Sequence, residues 1–290
     1  LCRALHGLPG ENELPMFATE KLAAGLGVAL LVLVACTAPS TRQETTEDLT
    51  RILAGSQRPD EDRARDVYRH PKQTLLFFGI RPEMSVLEVW PEPGWYTEIL
   101  APLLREKGKY YAAVIAADPH STYTTRRLAA YRDKLAAQPE LYDRVQVVSL
   151  PTDGADVVPP GSLDMVVTFR NLHNWMAEGN ASQVIATLYK ALKPGGVLGI
   201  VEHRGNPGVP QDPKAKSGYV NEDYAIRLIE AQGFRLVAKS QVNSNPKDSK
   251  DYEQGVWTLP PAYRLGDKDH DKYAAIGESD RFTMRFVKPR

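Results

Sequence analysis

Ser85-Val86-Leu87-Glu88-Val89, then Trp90-Pro91-Glu92-Pro93-Gly94 and Trp95-Tyr96-Thr97-Glu98-Ile99-Leu100, is the stretch from which the fold is read. A five-residue apolar run interrupted by one acid reads as a strand buried on both faces. The Pro/Gly turn ends it, and the apolar spacing from Tyr96 to Arg105 then changes to that of a helix. The same alternation continues outward. Strands are expected at Lys109–Ala117, Val145–Leu150, Leu163–Phe169, Val197–Val201, Phe234–Val242 and Arg281–Val287, with helices at Thr124–Ala137, Ala181–Leu192 and Asp223–Gln232. Lys193-Pro194-Gly195-Gly196 stops one helix and turns the chain into the next strand. Upstream, Asp60–Tyr68 and Thr74–Phe78 have helical character broken at Pro71, and a long polar stretch, Asn243–Asp280, precedes the last strand. Within that stretch Trp257-Thr258-Leu259-Pro260-Pro261-Ala262-Tyr263 is too apolar for a free loop and is expected to pack on the domain. Alternating strands and helices require right-handed crossovers, a mainly parallel sheet covered on both faces, and ligands at the carboxyl ends of the strands.

Composition narrows the function. The 290 residues carry 36 Lys+Arg and 36 Asp+Glu, and 42% are hydrophobic, enough for a large α/β domain. A zero formal charge provides no general attraction for nucleic acid, so no polynucleotide partner is expected. The two cysteines, Cys2 and Cys36, both precede the expected domain, which leaves neither a disulfide framework nor a cysteine-ligated zinc site.

The N-terminal part reads as a leader and a tether. The fourteen-residue apolar run Leu22–Ala35 is too short for a spanning helix but has the length of a secretory hydrophobic region. Leu33-Val34-Ala35-Cys36 at its end resembles a bacterial lipobox, in which the cysteine is acylated. The resulting expectation is a leader over 1–35 with translation starting at Met16, a lipid-anchored tether over 36–58 and a domain over 59–290. By the same resemblance Thr37, where Asp would otherwise direct retention, favours the outer membrane, facing the periplasm; the lipid anchor is then the expected membrane contact.

Val86-Leu87-Glu88-Val89, the turn through Gly94, the acid Asp118 ending the next strand, Leu163-Asp164-Met165-Val166-Val167 and Leu192-Lys193-Pro194-Gly195-Gly196 resemble, in order and spacing, the class I S-adenosylmethionine-dependent methyltransferases. Tyr68-Arg69-His70-Pro71, Trp95 to Pro102, and Thr168-Phe169-Arg170-Asn171-Leu172-His173-Asn174-Trp175 are more narrowly similar to a bacterial family of predicted, often secreted, methyltransferases. The resemblance implies a Rossmann-like three-layer α/β/α sandwich, with seven mostly parallel strands and an antiparallel last strand. It also implies S-adenosylmethionine as cofactor and a small or medium-sized molecule as acceptor. On the family pattern Glu88 orders the first loop, Gly94 lets backbone approach the donor, Asp118 takes the ribose diol, and Asp153 lies near the adenine.

One departure stands out. The usual acid-x-Gly-x-Gly-x-Gly loop would put glycines at 90, 92 and 94, where this chain has Trp90, Glu92 and Gly94. Pro93 has no N–H to offer, and Glu92 brings a side chain and a charge to a place that normally shows bare backbone. The alternative function is therefore a non-catalytic binding or accessory lipoprotein that keeps the fold. On the acceptor side His173 and His203 are candidate proton acceptors, beside Glu202, and Asn171 is a candidate for orienting a polar substrate. His173 and Asn174 can equally serve to satisfy the loop before the next helix. His173, Glu202 and His203 lack close ligand spacing, and no metal is assigned. Arg69-His70-Pro71 and Tyr219 are lid candidates, and Trp95 and Tyr96 candidate pocket walls.

The leader gives the first testable outcome. If Cys36 is acylated, the protein partitions with membranes into detergent, and Cys36→Ser releases or misprocesses it. Wild-type protein recovered from the cytosol with its leader intact would remove the anchor.

Overall fold

The computed structural model describes residues 41–115, 121–151 and 153–290; Cys36, Asp118 and the whole leader lie outside the described residues. The elements in chain order are α1 (Thr41–Leu53), α2 (Asp60–Arg63), α3 (Asp66–Arg69), α4 (Pro71–Phe78), β1 (Ser85–Val89), α5 (Thr97–Leu104), β2 (Lys109–Val114), α6 (Thr122–Ala137), α7 (Pro139–Tyr142), β3 (Gln146–Ser149) and β4 (Leu163–Phe169). They continue with α8 (Leu172–Glu178), α9 (Ala181–Ala191), β5 (Leu192–His203), α10 (Glu222–Glu230), β6 (Arg235–Ser240), a 3-10 turn at Gly255–Thr258, α11 (His270–Ile276) and β7 (Arg281–Val287).

The seven strands form one sheet in the order β3-β2-β1-β4-β5-β7-β6. β1 to β5 run parallel, and β7 enters antiparallel between β5 and β6. This is the three-layer sandwich that the sequence led us to expect. Side chains alternate between the two layers. Leu87 and Val89 of β1 join Val166 of β4 and Trp175, Ile185, Leu188 and Ile229 on one face. Val86, with Met165 and Val167 of β4, packs with Leu49, Leu75, Phe78, Ile99 and Leu100 on the other. Gly199 in β5 permits one of these contacts, since a Cβ there would lie 2.6 Å from the Phe78 ring. The helix α4 starts with Pro71 at its first turn after His70 in the left-handed conformation (φ 40°), so Arg69-His70-Pro71 is a hinge between two helices.

Two segments differ from the sequence reading. Residues 41–53, within the expected tether, form α1, whose Leu49 is fully buried and which packs on α4 and α5. The segment is polar on average, and only its helical spacing brings Thr45, Leu49 and Ile52 to one face. The folded domain therefore begins before residue 59. The polar stretch 243–280 is also structured. Asn245 bonds the carbonyls of Ile276 and Glu278 through Nδ2, Val256 N–H donates to Ser217 O at 2.9 Å, and Leu259 is fully buried, as expected of its apolar segment. Among the described residues no helix is long and apolar enough to cross a membrane.

The position of α1 is open to test. Leu49→Ala is expected to cost about 2–5 kcal/mol of unfolding free energy in urea titration, the range for truncating a buried leucine. A residue in a solvated tether would change stability by no more than about 0.5 kcal/mol.

Candidate active site

At their carboxyl ends β1 and β4 leave the sheet in the same way. Trp90 (φ 49°) follows β1 and Arg170 (φ 63°) follows β4, both left-handed without being glycine. Each still donates its N–H to the neighbouring strand, Trp90 to Ala113 O at 2.8 Å and Arg170 to Val201 O at 2.7 Å. Such conformations cost of order 1 kcal/mol or more and concentrate at functional sites. Here they turn two large side chains into a cavity of about 630 Å³ above the strand ends, at the size of a small-molecule site. Its walls include Trp95, Tyr96 and Phe169 from the sheet side, with Tyr96 stacked on Phe169 at 3.5 Å, and Trp257 and Leu259 from the 243–280 segment. Trp95 is held by Arg58 and Arg69, whose guanidiniums lie 4.9 and 4.6 Å from its ring centre. The expected walls and the Arg69 hinge thus reach the cavity. Tyr219 does not: it is buried with its hydroxyl donating to Asp248 at 2.9 Å and is absent from the lining.

The acids of the first loop take positions of their own. Glu88 is buried and accepts the Tyr110 hydroxyl at 2.6 Å. Burial raises its pKa to about 8, opposed by the Tyr110 hydrogen bond and reinforced by the charge of Glu92. Glu92 lines the cavity, its carboxylate accepting the N–H of Ile115 just past β2 at 3.2 Å and its carbonyl accepting Arg127 at 2.7 Å. Burial raises its pKa as well, against hydrogen bonds from its own N–H and that of Ile115 and against the Arg127 charge. Gly94 is not where a ligand would need bare backbone. It is left-handed (φ 103°), and a Cβ there would meet Lys134 at 3.1 Å and Tyr131 at 3.3 Å, so it gives room to α6 and lies outside the lining. Asp153 is also away from the cavity, exposed and accepting Ala155 N–H at 3.1 Å in its own turn. Asp118 is outside the described residues.

On the other side the structure brings Asn171, His173, Glu202 and His203 together. Asn171 donates through Nδ2 to Val89 O (2.8 Å) and Thr168 Oγ1 (3.1 Å), tying the β4–α8 turn to the end of β1, so its amide nitrogen is committed to structure. Glu202, fully buried at the end of β5, accepts His173 Nδ1 at 3.0 Å, His173 N–H at 3.2 Å and His203 N–H at 2.8 Å. A carboxylate on Nδ1 fixes the tautomer that leaves the lone pair on Nε2. His203 is buried beside it, with ring centres 5.3 Å apart and Nδ1 2.5 Å from Ser279 Oγ. Burial pushes its pKa well below the usual value, helped by His173, Arg281, Arg170 and Arg69, so it is neutral and weakly basic. His173 is therefore the better placed base of the pair.

Ligand atoms of His173, Glu202 and His203 also lie within 4.8 Å of one another. Both Glu202 oxygens already accept hydrogen bonds, and the arginines that depress His203 oppose a divalent cation in the same way. The donor set suits a proton relay better than a metal.

Arg170, Arg281, Arg127 and Trp257 were not singled out as site residues from the sequence. Arg170 lies inside the quoted Thr168–Trp175 motif, so a charged residue directly after a buried strand was the available signal. Arg281 has none, since only the antiparallel register pairs it with His203.

A seven-stranded sheet with its last strand inserted antiparallel, and a cavity over the ends of β1 and β4, defines the class I methyltransferase fold. No protein-family model matches the sequence, and no curated protein matches it. Among solved structures, the chain is similar to a SAM-dependent methyltransferase from Aquifex aeolicus at 16% identity, covering 84% of this chain and 98% of that one with a TM-score of 0.53. It is also similar to the [4+2]-cyclase SpnF at 17% identity, covering 87% and 97% with a TM-score of 0.55. These likenesses establish the fold, and the second shows that the fold carries more than one reaction.

The buried acid Glu88 gives a pH signature. A raised carboxyl pKa means that the folded state binds more protons than the unfolded one between about pH 4.5 and 8. Its stabilising contribution is full below that window and is lost as pH rises through it, with a slope of up to about 1.4 kcal/mol per pH unit. Glu88→Gln is expected to flatten the pH dependence of the urea midpoint across this window. An unchanged slope would put the buried proton elsewhere.

Proposed function

We propose that the protein is an S-adenosylmethionine-dependent methyltransferase acting on a small or medium-sized acceptor. The observation that carries the reading is the carboxylate-fixed imidazole of His173, which lines a cavity built at the carboxyl ends of β1 and β4 in a methyltransferase fold. The lining fits a cationic donor: the Glu92 carboxyl stands at the β1 end beside the buried Glu88, which keeps its proton at neutral pH, and Trp95, Tyr96 and Phe169 offer aromatic surface. A bound donor would supply an electrophilic methyl group on a sulfonium.

The chain's own residues then do three things. The aromatic walls and the 243–280 segment narrow access for water and hold two reactants in line. His173, oriented through Nδ1 by Glu202, takes the acceptor's proton at Nε2. The proton then resides on an imidazolium that the fully buried Glu202 stabilises, while neutral His203 adds no charge to oppose it. Asn171 acts by holding the turn that presents His173, a positioning role. Placement in the cell envelope through Cys36 belongs to the same proposal, supported by the apolar run and the lipobox-like residues.

One observation favours a second reading, a ligand-binding lipoprotein without transfer chemistry. The Glu92 side chain and Pro93 stand where the fold usually has glycine, and Gly94 faces Tyr131 and Lys134.

Thermal denaturation with S-adenosylmethionine or its demethylated product separates the two. A ligand at 100 times its Kd adds about 2.7 kcal/mol of stability. The methyltransferase reading expects stabilisation by both compounds, and no response at millimolar ligand would leave the accessory reading. In the double variant Glu92→Gly, Pro93→Gly, tighter binding would identify the loop as partly closed by substitution, and weaker binding would make Glu92 a contact to the donor's cationic end.

A further inference from the structure

The cavity holds more positive charge than a methyl transfer requires. Arg65 and Arg69 come from the start and end of α3, Arg170 from the turn after β4, and Arg281 from the first position of β7. Among the described residues, Glu278 is the carboxylate that Arg65, Arg69 and Arg281 share. It accepts Arg65 Nε at 2.7 Å, Arg69 Nε at 3.3 Å and an Nη of Arg281, whose other Nη donates to Tyr68 O at 3.3 Å. Four guanidiniums less one carboxylate leaves an excess of three charges. The Arg170 side chain has no hydrogen bond or ion pair among the described residues, although it lines the cavity. Arg65 Nη2 and Arg281 Nε are buried without a partner, and Arg281 is 2% exposed.

The groups feel one another strongly. Burial, then repulsion from Arg281, lowers the pKa of Arg170 to about 10, and burial with Arg170 lowers Arg69. Burial alone would raise Glu278, but the four arginines hold it far below the ordinary range. A cluster of mutually repelling cations, two of them buried and two half-buried, with unspent donors is stable only at a cost that an oxyanion would remove. Its position also matters. Arg281 is the register partner of His203 across β5 and β7, and Arg170 donates its N–H to Val201 of β5, whereas Glu88 and Glu92 bond Tyr110 of β2 and the N–H of Ile115 just past β2. The cations therefore lie at the His173–His203 end of the cavity, and the two acids at the other.

We propose that Arg65, Arg69, Arg170 and Arg281 form an oxyanion subsite beside His173, and that the molecule methylated there carries a doubly charged oxyanion, a phosphate monoester or a dicarboxylate. A single carboxylate would offset one of three excess charges; a dianion offsets two, and the planar guanidinium forks match its oxygens. The word "methylated" depends on the function proposed above, while the oxyanion subsite stands on its own geometry.

Inorganic phosphate is the probe. Melting of the wild-type protein is followed in phosphate and in sodium chloride of equal ionic strength, with and without S-adenosylhomocysteine. Arg170→Gln is the variant of choice, because it removes a guanidinium that holds nothing in place. Phosphate is expected to raise the wild-type melting temperature beyond the chloride control, and S-adenosylhomocysteine to add to the effect. Arg170→Gln is expected to melt no lower than wild type without ligand, because a repulsion is relieved, and to weaken phosphate binding at least tenfold while leaving S-adenosylhomocysteine affinity unchanged. Equal responses to phosphate and chloride, or equal phosphate affinity in the variant, would overturn the subsite. Mutually exclusive binding of phosphate and S-adenosylhomocysteine would assign the arginines to the donor's own carboxylate and overturn the acceptor assignment. Phosphate binding through Arg170 with no S-adenosylhomocysteine binding would keep the subsite and remove the methyl-transfer reading.

Discussion

Burial of β1 and β4 side by side, parallel and covered on both faces, is the constraint from which the site follows. Glu88 and Thr168 apart, the buried positions of the two strands are apolar, so the remaining polar side chains come where the chain leaves the sheet. The left-handed residues Trp90 and Arg170 are the consequence, together with the Asn171 amide that bonds Val89 O and joins the two exits. Because β5 ends beside β4, Glu202 and His203 arrive at the same level as His173. Antiparallel entry of β7 then sets Arg281 opposite His203. Four chain segments distant in sequence thus meet over the ends of the central strands.

The resulting cavity is electrically divided. The Glu92 carboxyl, with the protonated Glu88 and the Arg127 guanidinium beside it, stands at one end, and the guanidiniums around Glu278 at the other. In a low-dielectric space with aromatic walls, such a division orients a ligand carrying both signs of charge before any specific contact is made. It also keeps His203 neutral, so that of two adjacent imidazoles the one braced by Glu202 is the one able to take up a proton. The same field makes a cation between these side chains unfavourable, even though their spacing would admit one.

The glycine-poor first loop shows how far a motif can be rebuilt while the fold persists. Glu92 folds its carboxylate onto the N–H beyond β2, and Gly94 serves the packing of α5 against α6. Backbone that elsewhere in this fold faces a ligand here supports neighbouring helices. What replaces it is side chain, which carries charge and can be tuned by burial, as the raised pKa of Glu88 illustrates.

The sequence by itself determined the layers, the mainly parallel sheet implied by alternation, and the ends of β1, β4 and β7, because buried strands and their turns leave a local pattern of apolar residues, glycine and proline. It also picked out His173, Glu202 and His203, since they lie at or shortly after the ends of strands that carry the chemistry in such a sheet. Only the tertiary structure decided that residues 41–53 belong to the domain, because one buried leucine in a polar helix has no local signature until α4 and α5 are there to cover it. It decided too that Gly94 and Asp153 face away from the cavity, and that Arg65 and Arg69 reach Glu278 across more than two hundred residues of chain, beside Arg281 and Arg170, the latter unpaired among the described residues. Charge clusters of that kind depend on the register of β7 and the placement of α3, and neither is written in the residues that carry the charge.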